Sequence, residues 1–460
     1  METVAQVSAA LTAVLTTAAA SAAWATGLVR RASPLTGPRF VQALVFGWLR
    51  EPAATWSELA CTAAQVGAPV SPQALYQRVG EPAARCLQQV LGAAAHAVVR
   101  ADPVAVPLLA RFAAVYVQDS TTIALPDALA TEWAGCGGRT PQGTAAALKL
   151  QVRWELRRGT LSGPELHPGR ASDHVGTLVD DPGPPGSLHL NDLGYFAVDR
   201  LRAWSAAQVY WLTRLKGGTR VVDARGQDCT HPTYLRAHGQ TPLDCAVSVG
   251  TDAPLPARLL AVPVPPAVAA ERRRKLRAEA RREGKTPNAT RLAWADWTLL
   301  LTNVPSALLS VAEALVLVRV RWQIELLFKL WKAQRRLAAW HSTQPWHVLC
   351  ELYAKLLGLV VQHWLLLVGC WQWPERSLVR AARALRDQLG ILLGAYRGAW
   401  PLEQAVREAV VGLSTCRRTA CRQRPQTYQL LHDPTLPVPF RPRPPARRGR
   451  KPSTTQRKIA

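Results

Sequence analysis

At about residue 110 the spacing of apolar residues changes from three-and-four to strict alternation, and this change restricts the possible folds more than any other feature of the chain. Before it, residues 1–105 read as short helices punctuated by Ser33-Pro34 and Gly67-Ala68-Pro69. After it, FAAVYVQDSTTIAL, LKLQVRWELRRGTLSGPEL and SLHLNDLGYF read as strands separated by Gly and Pro clusters. VDRLRAW is helical again, and QVYWLTRLK returns to strand. Strands followed by a helix and a strand predict an α/β domain built on a mixed sheet, beginning with residues 106–218.

Residues 219–305 interrupt that domain. Short strand candidates, CAVSVG and ARLLAVPV, surround the basic run ERRRKLRAEARREGK before WTLLLTNVP, which predicts a β-rich insertion carrying a solvated basic helix or loop. One long helix is expected from about 308 to 339, within a segment 306–340, and further helices over 341–436. The Pro- and Arg-rich tail 437–460 reads as disordered, a nonspecific anchor on an anionic backbone. Leu356 to Trp373 is apolar enough to imitate a membrane span, yet Gln362 and His363 interrupt its middle, and a buried core helix is expected. Residues 4–28 carry no charge but follow Glu2 and lack the basic start of a signal peptide, so they read as an N-terminal helix. Nine cysteines, an odd number without a CxxC pair, argue for a reduced, cytoplasmic chain rather than a disulfide framework.

Charge narrows the partner. Lys and Arg total 56 against 31 Asp and Glu, a formal charge of +25, which favours a polyanion, nucleic acid first and an anionic membrane surface second. Within 1–105, TWSELACTAAQVGAPVSPQALYQRVGE has the outline of a helix-turn-helix. Its second helix, capped by Ser71 with Pro72 in the first turn, would present Gln73, Gln77 and Arg78 to a major groove; two ordinary packed helices have the same outline.

The chemistry begins with acids. Asp119 is expected to close the strand AAVYVQ, and Asp192 follows SLHLN just before Gly194 and Tyr195. Two strand-end carboxylates suit hard divalent cations, although Asp also caps turns where strands stop. In LVRVRWQIELLFKLWKAQRR, helical geometry brings Arg321, Glu325 and Lys332 within about 40° of one another on one face. Trp322, Leu326, Leu330 and Leu337 are expected on the other, apolar side. A surface helix laced by pairs such as Arg321 with Glu325 would explain those charges, but not their arrival together with two strand-end acids.

RWQIELLFKLWK closely resembles the Tyr-x2-Arg-x3-Glu-x6-Lys signature of the IS-four-like insertion-sequence transposases. Arg321, Glu325 and Lys332 fall on its last three positions, whereas Val318 stands where the family has Tyr. Asp119 in VQDST and Asp192 in NDLGYF resemble the family's first and second catalytic Asp, and TNVP before the signature helix also fits. The resemblance, over roughly residues 30–395, implies a ribonuclease-H-like core interrupted by a β-rich insertion between the second Asp and the Glu. It implies that Asp119, Asp192 and Glu325 hold two Mg²⁺ ions (or Mn²⁺) at a phosphodiester bond, with Arg321 and Lys332 on nearby phosphates. Double-stranded DNA is the implied partner, bound by a homodimer in the bacterial cytoplasm at the nucleoid, with no membrane. In related transposases an aromatic side chain of the insertion holds a flipped base, for which Trp294 and Trp297 are the candidates. Arg214 and Lys216, where a strand leaves the sheet, are placed to reach DNA backbone. A metal-dependent nuclease without strand transfer and a catalytically decayed, DNA-binding copy stay open as alternatives.

Overall fold

Nine strands form one mixed sheet, in the order β3-β2-β1-β4-β5-β9-β8-β7-β6, in a computed structural model that describes residues 2–137, 145–239, 241–335, 337, 340–418 and 425–438. The strands are β1 (Val115–Leu125), β2 (Ala146–Glu155), β3 (Leu161–Pro168), β4 (Leu188–Asn191), β5 (Tyr210–Arg214), β6 (Val221–Val222), β7 (Leu243–Val249), β8 (Leu255–Pro263) and β9 (Trp297–Thr302). β1, β4 and β5 run parallel; β2 and β3 add antiparallel on one side. On the other side β9 pairs antiparallel with β5, and β8, β7 and β6 follow antiparallel beyond it. The strands of 219–305 therefore extend the central sheet, and WTLLLT returns from the far edge to pair with β5.

Alternation along the strands builds a core on each face. Val115, Val117, Leu188, Leu190, Leu212 and Leu300 face the larger core with the helical regions. Their neighbours Trp211, Leu299 and Leu301, with Leu259 and Ala261, face a second core closed by Leu201 and Trp204 of helix α1 (Val198–Ala206).

The basic run forms α2 (Pro266–Arg282) on the sheet's outer part. The predicted helix 308–339 is two helices, α3 (Val311–Val320) and α4 (Trp322–Arg335), separated at Arg321. α3 opens with a capping box between Ser310 and Glu313. At the break Arg321 keeps a helical backbone (φ −47°, ψ −34°) and Ile324 N donates to Arg321 O (3.3 Å), a tightened three-residue turn, and α4 beyond it packs against β1.

Beyond it α5 (Pro345–Cys370) runs through the larger core with nearly every side chain buried. This helix and the N-terminal span Glu2–Ala25 are long and apolar enough to cross a membrane, but 94% of the former's apolar window is buried inside the protein. Each Leu or Val buried there contributes about 1.5–3 kcal/mol. The polar pair at its middle is accommodated by hydrogen bonds, Gln362 Nε2 to Ala382 O (2.9 Å) and His363 Nε2 to Gly159 O (2.7 Å), so the expectation of a core helix holds. The N-terminal outline is also realised, as helices Trp56–Gln65 and Pro72–Gln77. The first ends at Gly67 (φ +86°), with Gly67 N bonded to Ala64 O and Ala68 N to Ala63 O, a reversal that needs the left-handed backbone glycine tolerates. The tail beyond Val438 lies outside the described residues.

Candidate catalytic centre

Strand register brings the two aspartates together. β1 and β4 pair in parallel with Val115 opposite Leu188 and Val117 opposite Leu190, and this pairing stops there. Two residues farther along each chain, Asp119 and Asp192 stand level and, because side chains alternate, on the face of Val117 and Leu190. Asp192 keeps an extended backbone (φ −84°, ψ 166°), so the alternation carries through to it. One expectation is corrected: Asp119 does not close a strand but sits inside β1, which continues to Leu125 through pairing with β2 alone. It lies at a fork, where the sheet opens on the β4 side and still holds on the other.

α4 crosses that face and supplies the third acid. Ile324, Leu327, Phe328, Leu330 and Trp331 are its buried side, together with Leu337 just beyond it. Trp322 and Leu326, expected on the apolar side, are instead exposed (49% and 45%), with Lys329 Nζ 4.7 Å from the Trp322 ring centre. The helix is rotated from the simple amphipathic reading because its charged stripe, not only its apolar one, faces the sheet.

The Arg321 guanidinium, 12% exposed, is the point on which the three acids converge. Its Nη2 lies 3.1 Å from Glu325 Oε1 and 3.7 Å from Asp192 Oδ1, and its Nη1 lies 3.8 Å from Asp119 Oδ2. Only the Glu325 contact is a hydrogen bond, and the buried Nη1 makes none. Burial first, then the negative charges of Asp192 and Glu325, raise the Asp119 carboxyl to about 6 against the pull of the Ser120 N–H and Arg321. Among the described residues no three His, Cys, Asp or Glu side chains stand close enough to hold one ion as they are. The set is nevertheless of the right kind: oxygen donors only, with Asp119 buried enough to lift its pKa, and gathered by a cation.

The remaining candidates are dispersed. Lys332 is exposed on α4, seven residues and so about 10 Å past Glu325 on the same side. Arg214 and Lys216 are exposed at the end of β5, Arg214 level with Asp192 through the pairing of Asn191 with Thr213. Trp297 is buried in the second core, and Trp294, half-buried against it, donates from Nε1 to Thr230 O (2.8 Å); neither ring stands free for a base. Gln77 is exposed, whereas Arg78 turns back to donate to Leu28 O (3.3 Å). Val318 packs half-buried against the larger core, as an apolar residue at that position should.

The sequence reading missed a polar layer on the opposite face, directly behind Asp119. Ser120 donates from Oγ to Asp173 Oδ1 (2.7 Å), Lys149 Nζ pairs with the same oxygen (2.9 Å), and Ser120 N donates to Asp119 Oδ1 (2.8 Å). The available signal was the alternation of Lys149, Gln151, Arg153 and Glu155 with apolar residues along β2.

The site is thus three carboxylates around one arginine, at a fork in a mixed sheet. The chain belongs to the transposase family defined by the Transposase DDE domain, whose model matches residues 111–361. It is similar to the transposase of insertion sequence IS231B of Bacillus thuringiensis subsp. berliner, 23% identical over 73% of this chain and 74% of that protein. The IS231E transposase of Bacillus thuringiensis subsp. finitimus is 25% identical over 54% of this chain and 55% of that protein. The putative transposase InsL of IS186A of Escherichia coli (strain K12) is 39% identical over 47% of this chain and 60% of that protein.

Proposed function

We propose that the protein is the transposase of an insertion sequence and moves it by cut-and-paste, with Asp119, Asp192 and Glu325 as the catalytic acids. The observation that carries this reading is their convergence from two strands and a helix on the single guanidinium of Arg321. The strand order β3-β2-β1-β4-β5 with β2 antiparallel supports a ribonuclease-H-like core, with β6–β8 and α2 as its insertion and helical regions before and after. The three acids would hold two Mg²⁺ ions, or Mn²⁺, which supply an activated attacking oxygen and a stabilised leaving oxygen in an in-line displacement. No side-chain nucleophile is required. Arg321 is a planar fork suited to a phosphate beside the acids, and Lys332 a point charge farther along the duplex. The attacking group is first water, at the element's end, and then the freed 3′ hydroxyl, at target DNA. The partner is double-stranded DNA, engaged by two copies of the chain in the cytoplasm.

The test is cleavage of end-containing DNA by the purified protein with Mg²⁺, wild type against Glu325→Ala, with binding measured for both. Nicked and joined products from wild type alone support the reading, and nicks without joining make the protein a nuclease. Equal cutting by both refutes the assigned acids, and cutting by neither with any divalent metal leaves a DNA-binding, decayed copy.

A further inference from the structure

The basic helix α2 is unexplained by the acid site. Residues 271–285, ERRRKLRAEARREGK, hold eight cations against three acids. Two arginines fasten it to the sheet: Arg272 donates to Trp297 O (2.6 Å) and to Thr298 Oγ1 (3.0 Å), and Arg273 pairs with Asp296. Ala269 is buried on the same side and Leu276 is half-buried. At 100° per residue, Arg274, Arg277 and Arg281 fall within about 60° of one another on a side turned about 120° from the anchored one, over about 10 Å of helix. All three are exposed. Arg274 shares Glu271, and Arg277 and Arg281 have no carboxylate partner among the described residues.

Register fixes where this face lies. Arg214 on β5 is level with Asp192 and pairs with Leu300 on β9, so the Thr298 anchor is two residues beyond the level of the acids. Two strand spacings across and two residues along put that anchor roughly 10–15 Å from Asp192, less than the width of a duplex. Arg214 is also near enough for its charge to add to the effect of burial in lowering the Arg272 pKa. Arg214, Lys216 and α2 thus make a cationic track leading from the acids at one end of the sheet.

We infer that α2 is an arm for the DNA backbone, whose Arg274, Arg277 and Arg281 hold phosphates of the duplex leading away from the bond at the three acids. The direction of the duplex rests on the transposase reading; the arm itself does not. A duplex carries one charge per about 1.7 Å, so 10 Å of arginines meets several phosphates and displaces their counterions. An anionic membrane fits worse, because a helix lying on lipid needs an exposed apolar face, and that of α2 is turned to the sheet.

The experiment compares the full-length wild type with Arg274→Ala/Arg277→Ala/Arg281→Ala and with a control of equal charge loss, Arg383→Ala/Arg397→Ala/Arg407→Ala. Binding to a labelled duplex lacking element ends is followed by fluorescence anisotropy across salt concentrations, after circular dichroism shows all three proteins folded. The arm variant should bind about tenfold or more weakly, and its log–log salt slope should fall by about 2–3, near 0.9 per lost phosphate contact; the control should do neither. Equal behaviour of the two variants overturns the inference. So does unchanged duplex binding with lost binding to phosphatidylglycerol vesicles, which would assign the helix to lipid. If wild type proves unable to cut DNA while the arm variant still loses duplex binding, the catalytic reading fails and the arm stands. If cutting depends on Glu325 but the arm variant binds like the control, only the arm fails.

Discussion

Asp119→Asn should make this protein more stable while abolishing its cleavage. In the folded chain, burial is the main reason the Asp119 carboxyl titrates near 6 instead of 3.8. An unfolded chain has lost that proton by pH 5, whereas the native state keeps it until about pH 6. Across that window the native state binds more protons, so unfolding free energy falls as pH rises, and above pH 6 the whole deficit is in place. Two pKa units at 1.36 kcal/mol each make it about 3 kcal/mol. Asparagine carries no charge to desolvate and retains an oxygen for the Ser120 N–H. At pH 7.5, with EDTA present, the variant should therefore exceed wild type by up to about 3 kcal/mol, a rise of a few degrees in Tm for a chain of this size. The gain should shrink through pH 6 and vanish near pH 4. Excess Mg²⁺ should reverse the order by stabilising wild type alone, since only the charged site gathers cations. Thermal and urea unfolding across pH 4–8 measure all of this. An Asn variant no more stable than wild type at pH 7.5, or a gain indifferent to pH, refutes the argument that the acid is held at a cost. Such a cost is what a site kept for function rather than stability should carry.

Two further variants probe the supports of the site. Lys149→Met removes the cation that pairs with Asp173 behind Asp119; it should cost about 2 kcal/mol and lower cleavage more than binding, both measured on the same preparation, and loss of neither would make that layer incidental. Lys355→Met removes the buried cation that pairs with Glu351, whose carboxylate also lies 2.9 Å from His341 Nδ1; the expected loss is about 3 kcal/mol in urea unfolding at pH 7.5, and an unchanged stability would show that the pair does not hold this part of the core together.

The sequence by itself determined the kinds of element, and it singled out the acidic residues Asp119, Asp192 and Glu325 that the proposed function uses. Period two at β1 and β2, period 3.6 around Glu325 and the turn residues at Gly67-Ala68-Pro69 are local properties, set by backbone sterics and by which residues must leave water. The signature spacing from Arg321 to Lys332 was legible for the same reason. The tertiary structure decided what depends on register and packing. That Asp119 and Asp192 stand level follows from Val117 meeting Leu190, a pairing between segments 73 residues apart that no local pattern encodes. The exposure of Trp322 and Leu326 depends likewise on packing, because which face of α4 meets the sheet is set by the partners the sheet brings to it. The same logic took Trp297 into a core and sent WTLLLT back beside β5: a strand's second face is filled by whichever elements the sheet brings to it, and only the assembled sheet says which those are.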